Sequence, residues 1–341
     1  VSSIFHSEYG RFKRRIRRQY YMLRAMRRGA KMRLLTDRTN RIRHSDVLVF
    51  TTLRNERARL PYFLDYYRKL GVGHFLFVDN DSTDGSATFL AGQPDASVWL
   101  TSDSYKTARF GMDWINRLLR RYGHDHWCLT VDPDEFFIYP HHDSRPLRAL
   151  TEWLDAAGDR SFSAMLLDVY PRGPVEQAFC AEGQNPLEVA NWFDAANYTL
   201  HKNNDYGNLW IQGGPRGRVF FANHPGRSPA LNKIPLVKWN WRYVYASSTH
   251  MLLPRHLNVV YDQEGGERAS GCLLHTKFLS SLTEKAAEEL NRRQHYAGSH
   301  EYRAYHNQLK AGTVLWCEQS REYRDWRQLV DLGLISAGNW S

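Results

Sequence analysis

The stretch HWCLTVDPDEFFI, residues 126–138, decides how this chain is read. Its first half is an apolar run bounded by polar residues, the mark of a buried strand. Its second half crowds Asp132, Asp134 and Glu135 around Pro133. Three ionised carboxylates this close repel one another, and burial at a strand end sharpens the repulsion, so they require a counter-charge or raised pKa values. A hard divalent cation, Mg2+ or Mn2+, supplies that charge through oxygen ligands. Read as one strand, the stretch alternates, so Asp132 and Asp134 share one side and Glu135 takes the other. The crowding then resolves into a metal edge and a structural anchor, with Glu135 holding a basic loop.

Outward from this strand, DVLVFTTL (46–53), HFLFVDN (74–80) and SVWLTS (97–102) are further apolar, strand-like runs. Between them RARLPYFLDYYRKLG (57–71) and KTARFGMDWINRLLRRYG (106–123) carry apolar residues at helical spacing and close on glycine. Strands alternating with helices at these lengths predict an α/β fold with a mostly parallel, Rossmann-like sheet flanked by helices. Ligands of such sheets bind outside the carboxyl ends of the strands. Those ends are polar here: Arg54, Asn55 and Glu56 after the first strand, Asp79, Asn80, Asp81 and Asp84 after the second, and the aspartates after the fourth. Each alone has an ordinary reading as a cap or turn. Their recurrence at three corresponding positions points to one shared site.

The charge is unevenly placed. Of the net +10, residues 1–43 hold 14 Lys/Arg against 2 Asp/Glu, a balance of +12, leaving 32 against 34 in the remainder. The basic segment sets Phe12, Ile16, Tyr20, Leu23, Met26 and Met32 among its cations at roughly helical intervals. Such a helix suits an anionic membrane surface, and equally suits packing on its own catalytic domain. No nucleic-acid recognition motif accompanies the charge, so nucleic acid is not expected as a partner. No apolar run approaches the roughly 20 residues of a membrane span, and no signal-peptide pattern opens the sequence. Cys128, Cys180, Cys272 and Cys317 are widely spaced without a CxxC pair, which argues against a zinc cluster or a disulfide framework. A cytoplasmic protein is expected, soluble or peripheral on the inner face of the plasma membrane.

TTLRNE, VDNDSTDG and DPDEFF, in this order and at these intervals, resemble the motifs of the GT-A glycosyltransferases, specifically a family 2-like bacterial branch with some likeness to family 92. GGPRGRVFF (213–221), LNKIPLVKW (231–239), SSTH (247–250) and LLHTKFL (273–279) share the likeness, which spans roughly residues 46–330. The chain is expected to divide into a basic amphipathic segment at 1–44, a GT-A-like catalytic domain at 45–281 and a helical extension at 282–341. The likeness implies a metal-dependent transfer of sugar from a nucleotide-sugar, expected to be a UDP-sugar, to a glycan or lipid-linked acceptor in surface polysaccharide synthesis. By similarity, Glu56 and Asp79 contact the nucleoside, with Thr52 and Asn55 at the base of the pocket and Lys106 and Arg109 near the nucleotide. Asp132 meets the ribose or sugar, and Asp134 holds the metal, with Asp132 as an alternate.

A metal held by one carboxylate and two phosphates needs another ligand. His275 is the expected one, with His250 as the rival, and Lys277 would share the side of His275 and meet a phosphate. GGPRGR and NKIPLVKW read as loops that bring Arg216, Arg218, Lys233 and Lys238 toward a diphosphate or anionic acceptor. Trp210, Trp239, Trp241 and Tyr243 would suit sugar rings or a core. An inverting transfer needs a carboxylate base, for which Asp168, Asp194, Asp205, Asp262 and Glu264 are available, and Asp194 is preferred. Residues 281–309 and 322–336 read as helices. Two other classes stay open: a nucleotidyltransferase acting on a sugar phosphate, and a non-catalytic, membrane-attached glycan-binding protein.

Overall fold

In the computed structural model, which describes residues 2–260, 268–282 and 312–340, the basic segment forms helix α1 (Ser2–Gly29) and a short edge strand, β1 (Arg33–Thr36). The alternation that follows is β2 (Val47–Leu53), helix α2 (Leu60–Lys69), β3 (Val72–Asp79), helix α3 (Ser86–Ala91), β4 (Ala96–Leu100), helix α4 (Met112–Tyr122) and β5 (Trp127–Thr130). β4, β3, β2 and β5 lie side by side and parallel, which is the Rossmann-like unit. Alternate residues of β2 show why it sits in the middle: Val47 and Val49 pack on the α2 side with Phe63 and Tyr67, whereas Leu48 and Phe50 pack on the α4 side with Trp114 and Leu118. A strand apolar on both faces is stable only between two helical layers.

The opening stretch does not form one strand. β5 ends at Thr130, the chain turns through Asp132-Pro133-Asp134 with the Glu135 amide donating to the Asp132 carbonyl at 3.0 Å, and β6 (Glu135–Ile138) begins at the far edge of the sheet. After helix α5 (Leu147–Ala157) come β7 (Ser161–Tyr170), β8 (Trp192–Asp194) and a hairpin of β9 (Tyr198–Lys202) with β10 (Leu209–Gly213). β11 (Asn232–Lys238), the hairpin of β12 (Val244–Ser247) with β13 (Met251–Leu253), and β14 (Gly271–His275) follow. The sheet runs β1-β4-β3-β2-β5-β11-β7-β14-β6, so the second half is mixed in direction, with β11 and β6 antiparallel to their neighbours.

Two segments expected as loops are ordered. NKIPLVK is strand β11, and its register shifts between Lys233 and Leu236, so Pro235 falls where the ladder is interrupted and no amide is needed. Arg216–Phe220 is a single π-helical turn after Gly213 and Gly214. Farther on, β15 (Ser320–Glu322) pairs with β8, and the helix Trp326–Asp331 packs with Phe136 and Cys272. Trp340 joins the core beside Tyr139 and Trp153. The expected helices over 281–309 fall, beyond Leu282, outside the described residues, as do Asp262 and Glu264. All four cysteines are free thiols.

Helix α4 starts at Met112 rather than at Lys106, because Arg109, Phe110 and Gly111 all adopt positive φ (53°, 57° and 78°) and swing the chain around before the helix begins. A Cβ at Gly111 would stand 2.9 Å from the Thr52 hydroxyl. Gly111→Ala is expected to lower stability by about 1–3 kcal/mol, combining a left-handed backbone with overpacking. Urea denaturation checks this, and an unchanged midpoint would show that Thr52 yields freely.

Candidate functional site

Register assembles the centre of the site. His275, the last residue of β14, stands opposite Glu135 of β6 on one side and Asp168 of β7 on the other, and directly opposed residues present side chains on the same face. The result is a buried relay. Arg216 donates to Asp168 at 2.7 Å, Asp168 accepts from His275 Nδ1 at 2.6 Å, and His275 Nε2 lies 3.4 Å from Asp134 Oδ2. Burial opposes the charge on Asp168, but Arg216 and then His275 outweigh it and hold the carboxyl below its usual range. Burial likewise opposes a charged His275, yet Asp134 and Asp168 prevail and raise its pKa. Asp134 is itself anchored through its carbonyl, which accepts from the Thr276 amide at 2.8 Å.

Beside this relay, Glu135 binds Lys233 at 2.9 Å, and its other oxygen accepts from the Asp132 amide at 3.2 Å. Lys233 comes from strand β11, so the anchor role of Glu135 is realised against a strand rather than a basic loop. Lys233 also reaches within 4.0 Å of Asp132, and the two carboxylates hold its pKa above the lysine norm despite burial. The Asp132 side chain is 53% exposed at the cleft, so the burial that dominates its shift is that of a walled cleft rather than a sealed core. Together with Glu135, and less so Asp134, it raises the Asp132 carboxyl to about 7.

The ends of β2 and β3 are zipped to each other, which explains much of their polarity. Asn55 accepts from the Thr83 amide at 2.8 Å, Asp79 from the Ser82 amide at 2.9 Å, and Asp84 from the Arg57 amide at 2.8 Å. Asn55 and Asp79 therefore shape the loop rather than line the cleft. The second oxygen of Asp79 is buried without a hydrogen-bond partner among the described residues, and burial raises this carboxyl's pKa. Thr52, Glu56 and Asn80 do line the cleft, Glu56 in an ion pair with Arg59 at 2.9 Å. Arg109 lines it too, but as a fastener: it binds Asp113 at 2.8 Å and the carbonyls of Tyr245 and Ala246, with the Tyr21 ring 4.0 Å from its guanidinium carbon. Lys106 is exposed outside the cleft lining.

The cleft encloses about 1300 Å3 at the carboxyl ends of β2, β3 and β5. It brings together Thr52, Glu56, Arg109, Asp132, Asp134, Arg216, Lys233, His250, His275 and Lys277 of the expected residues, and its cations outnumber its carboxylates. Of the four aromatic candidates only Trp210 is there, whereas Trp239 is core. Arg59 and most of the segment from Ala222 to Ala230 line it without having been anticipated. Arg59 was detectable as the i+3 partner of Glu56, but ANHPGRS (222–228) carries no local signal.

Two expected roles do not fit their surroundings. Asp194 lies off the cleft in a buried cluster, bound by Nη2 and Nε of Arg218 at 2.9 and 3.0 Å and by the Tyr170 hydroxyl. A carboxylate so committed has no approach to an acceptor hydroxyl. His250 has its Nδ1 committed to the Asn232 carbonyl. Burial, followed by repulsion from Lys233, pushes its imidazole down to about 3. It stays neutral in the fold while the unfolded chain takes a proton near 6.5, so its contribution is complete above about 6.5 and is lost progressively as pH falls toward 3. His250→Gln is therefore expected to lose melting temperature less steeply than the parent between pH 7 and pH 5. Parallel slopes in scanning calorimetry would refute this.

Asp134 and His275 suit a metal as a pair. Ligands about 2.1 Å from a shared ion stand roughly 3–3.5 Å apart, as these atoms do. The Asp168 bond to the opposite ring nitrogen is the usual support of a metal-bound histidine. No group of three such side chains converges among the described residues, so substrate oxygens and water would complete the shell. One imidazole beside a carboxylate favours Mn2+ over Mg2+.

No protein-family model matches the chain, and no curated protein matches it. Among solved structures, one assigned as a glucose-1-phosphate thymidylyltransferase from Bacillus anthracis, determined with sucrose, is similar at 8% identity, covering 79% of this chain and 84% of that one with a TM-score of 0.29. A likeness so distant carries no functional argument. What the chain itself presents is an α/β, Rossmann-like core with a cleft at its carboxyl edge.

Proposed function

We propose that the cleft binds a nucleotide-sugar, a UDP-sugar in the first instance, and transfers its sugar to a glycan or lipid-linked acceptor, in the manner of the GT-A enzymes that the sequence motifs resemble. The observation that carries this reading is the pairing of Asp134 with His275, braced by Asp168, at the cation-lined carboxyl edge of the parallel strands. A divalent ion held there would offset the charge that develops on a departing diphosphate.

The chain's own residues divide the remaining work. Asp168 fixes the imidazole through Nδ1, leaving Nε2 toward Asp134. Lys277, two residues past His275, lines the same cleft, and its ammonium would serve a phosphate oxygen in this reading. Thr52, Glu56 and Asn80 at the ends of β2 and β3 form the nucleoside end, and Trp210 with Gln212 forms part of the wall left for a sugar or acceptor. Glu135 and Lys233 neutralise each other and keep the turn bearing Asp132 and Asp134 in place.

Calorimetric titration with UDP is the test of the pocket. Binding is expected in the presence of Mn2+ and should fall by at least about tenfold in EDTA. Indifference to the chelator would remove the metal from the site, and absence of binding under both conditions would remove the nucleotide.

A further inference from the structure

Helix α1 has two faces, and only one is used. Along one face, Ala25 is buried, Gly29 abuts Arg117 so closely that a Cβ would stand 2.3 Å from its Cγ, and Arg24 binds Asp113 at 2.9 Å and the Thr107 carbonyl at 2.6 Å. Arg17 donates to the Tyr206 hydroxyl at 3.0 Å, while Tyr21 and Met22 pack against Tyr206, Val244, Ala246 and Leu253. The helix is thus clamped to the body of the protein beside the cleft wall.

The opposite face carries Tyr9, Phe12, Ile16, Tyr20 and Leu23, each 49–61% exposed. Their spacing of three and four places them in one stripe, about 21 Å long at 1.5 Å per residue. Packing against α4 does not account for it, because Arg24 on Asp113 and Gly29 on Arg117 hold that contact from the other side. Exposed cations accompany the stripe: Lys13 stands 4.3 Å over the Tyr9 ring, and the exposed Arg27 continues the stripe one turn past Leu23.

Charge selects the occupant. A second copy would bring together two segments that each carry a balance of +12 over residues 1–43, whereas an anionic lipid surface complements that charge and accepts the aromatic and aliphatic side chains below its headgroups. Among the described residues no helix is long and apolar enough to cross a membrane, so the contact is one of lying on the surface. We infer that α1 is a two-faced adaptor, clamped to the catalytic body through Arg17, Arg24 and Ala25 and seated on an anionic phospholipid bilayer through the stripe from Tyr9 to Leu23. The inference goes beyond the transfer reaction and stands or falls without donor or acceptor present.

The experiment is co-sedimentation of the full chain with phosphatidylcholine vesicles, with and without 30% phosphatidylglycerol. The wild type is expected to bind the anionic vesicles at least about tenfold more tightly than the neutral ones, and more weakly as salt rises. The exposed substitutions Phe12→Glu, Ile16→Glu and Leu23→Glu, made together, should reduce that binding by about tenfold or more with the melting temperature retained. Lys13→Glu with Arg27→Glu keeps the stripe and should remove much of the preference for anionic lipid. Equal vesicle binding by the wild type and both variants would overturn the inference, as would no binding by the wild type. A dimer that the stripe variant abolishes in sedimentation velocity, with no lipid binding by either protein, would overturn it in favour of a second copy.

Discussion

Replacing Asp134 by alanine is expected to lower Mn2+ affinity by at least about 100-fold and to abolish Mn2+-dependent binding of UDP while leaving the fold intact. Only two side chains, Asp134 and His275, are available to the ion among the described residues, so loss of one removes half of the protein's share of the coordination. Even partners outside the coordination sphere typically change metal affinity by about 10–100-fold, and a ligand itself should exceed that. Stability is spared for a local reason. The turn is held by the Asp134 carbonyl, which accepts from Thr276, and by the neighbouring pair of Glu135 with Lys233. None of these needs the Asp134 carboxylate. Isothermal titration with MnCl2 and a melting curve together check the prediction. Undiminished Mn2+ binding would place the ion elsewhere.

Asp168→Asn should have the larger effect on stability. Its carboxylate is 1% exposed and serves Arg216 and His275 at once, so neutralising it leaves the buried guanidinium without this counter-charge. Breaking a buried pair from one side costs about 3–5 kcal/mol, because the remaining charge stays out of water. A positioning role predicts a second loss, about 10–100-fold in Mn2+ affinity, because the imidazole is no longer held through Nδ1. The combination Asp168→Asn with Arg216→Gln separates the two. It should recover much of the stability, since a neutral pair carries no stranded charge, yet leave Mn2+ affinity low. Recovery of both together would make Asp168 structural only.

The first half of the fold was legible because its signals are local. β2, α2, β3 and β4 are apolar runs and helical periods within windows of a few residues, and they occur as expected. The division of residues 126–138 was not legible, since β6 exists only by pairing with β14, well over a hundred residues later, and nothing near Pro133 announces that partner. β11 was masked in the same way: Pro235 reads as a loop signal unless the interrupted ladder around it is known.

At the site, residue type was legible and commitment was not. Asp194 and Asp134 look alike in sequence, but Arg218 and Tyr170 close around the first, whereas the second faces His275 in the cleft. Alternation separated Glu135 from Asp134 for a reason that no longer holds, because the turn at Pro133 replaces the extended strand. The division of labour nonetheless survives, since Lys233 claims Glu135 and His275 meets Asp134. Asp168 stood among the candidate bases, and only its register with His275 across β7 and β14 gives it the role of a brace. For α1 the amphipathic pattern was readable, but which face packs inward depends on α4 and on Asp113.

The most direct test is to incubate the protein with a panel of UDP-sugars and Mn2+ and to identify the nucleotide product chromatographically. Release of UDP from at least one donor, suppressed by EDTA and absent in Asp134→Ala, is the expected result. Intact donors throughout the panel, or diphosphate released from a nucleoside triphosphate and sugar phosphate in place of UDP, would contradict it.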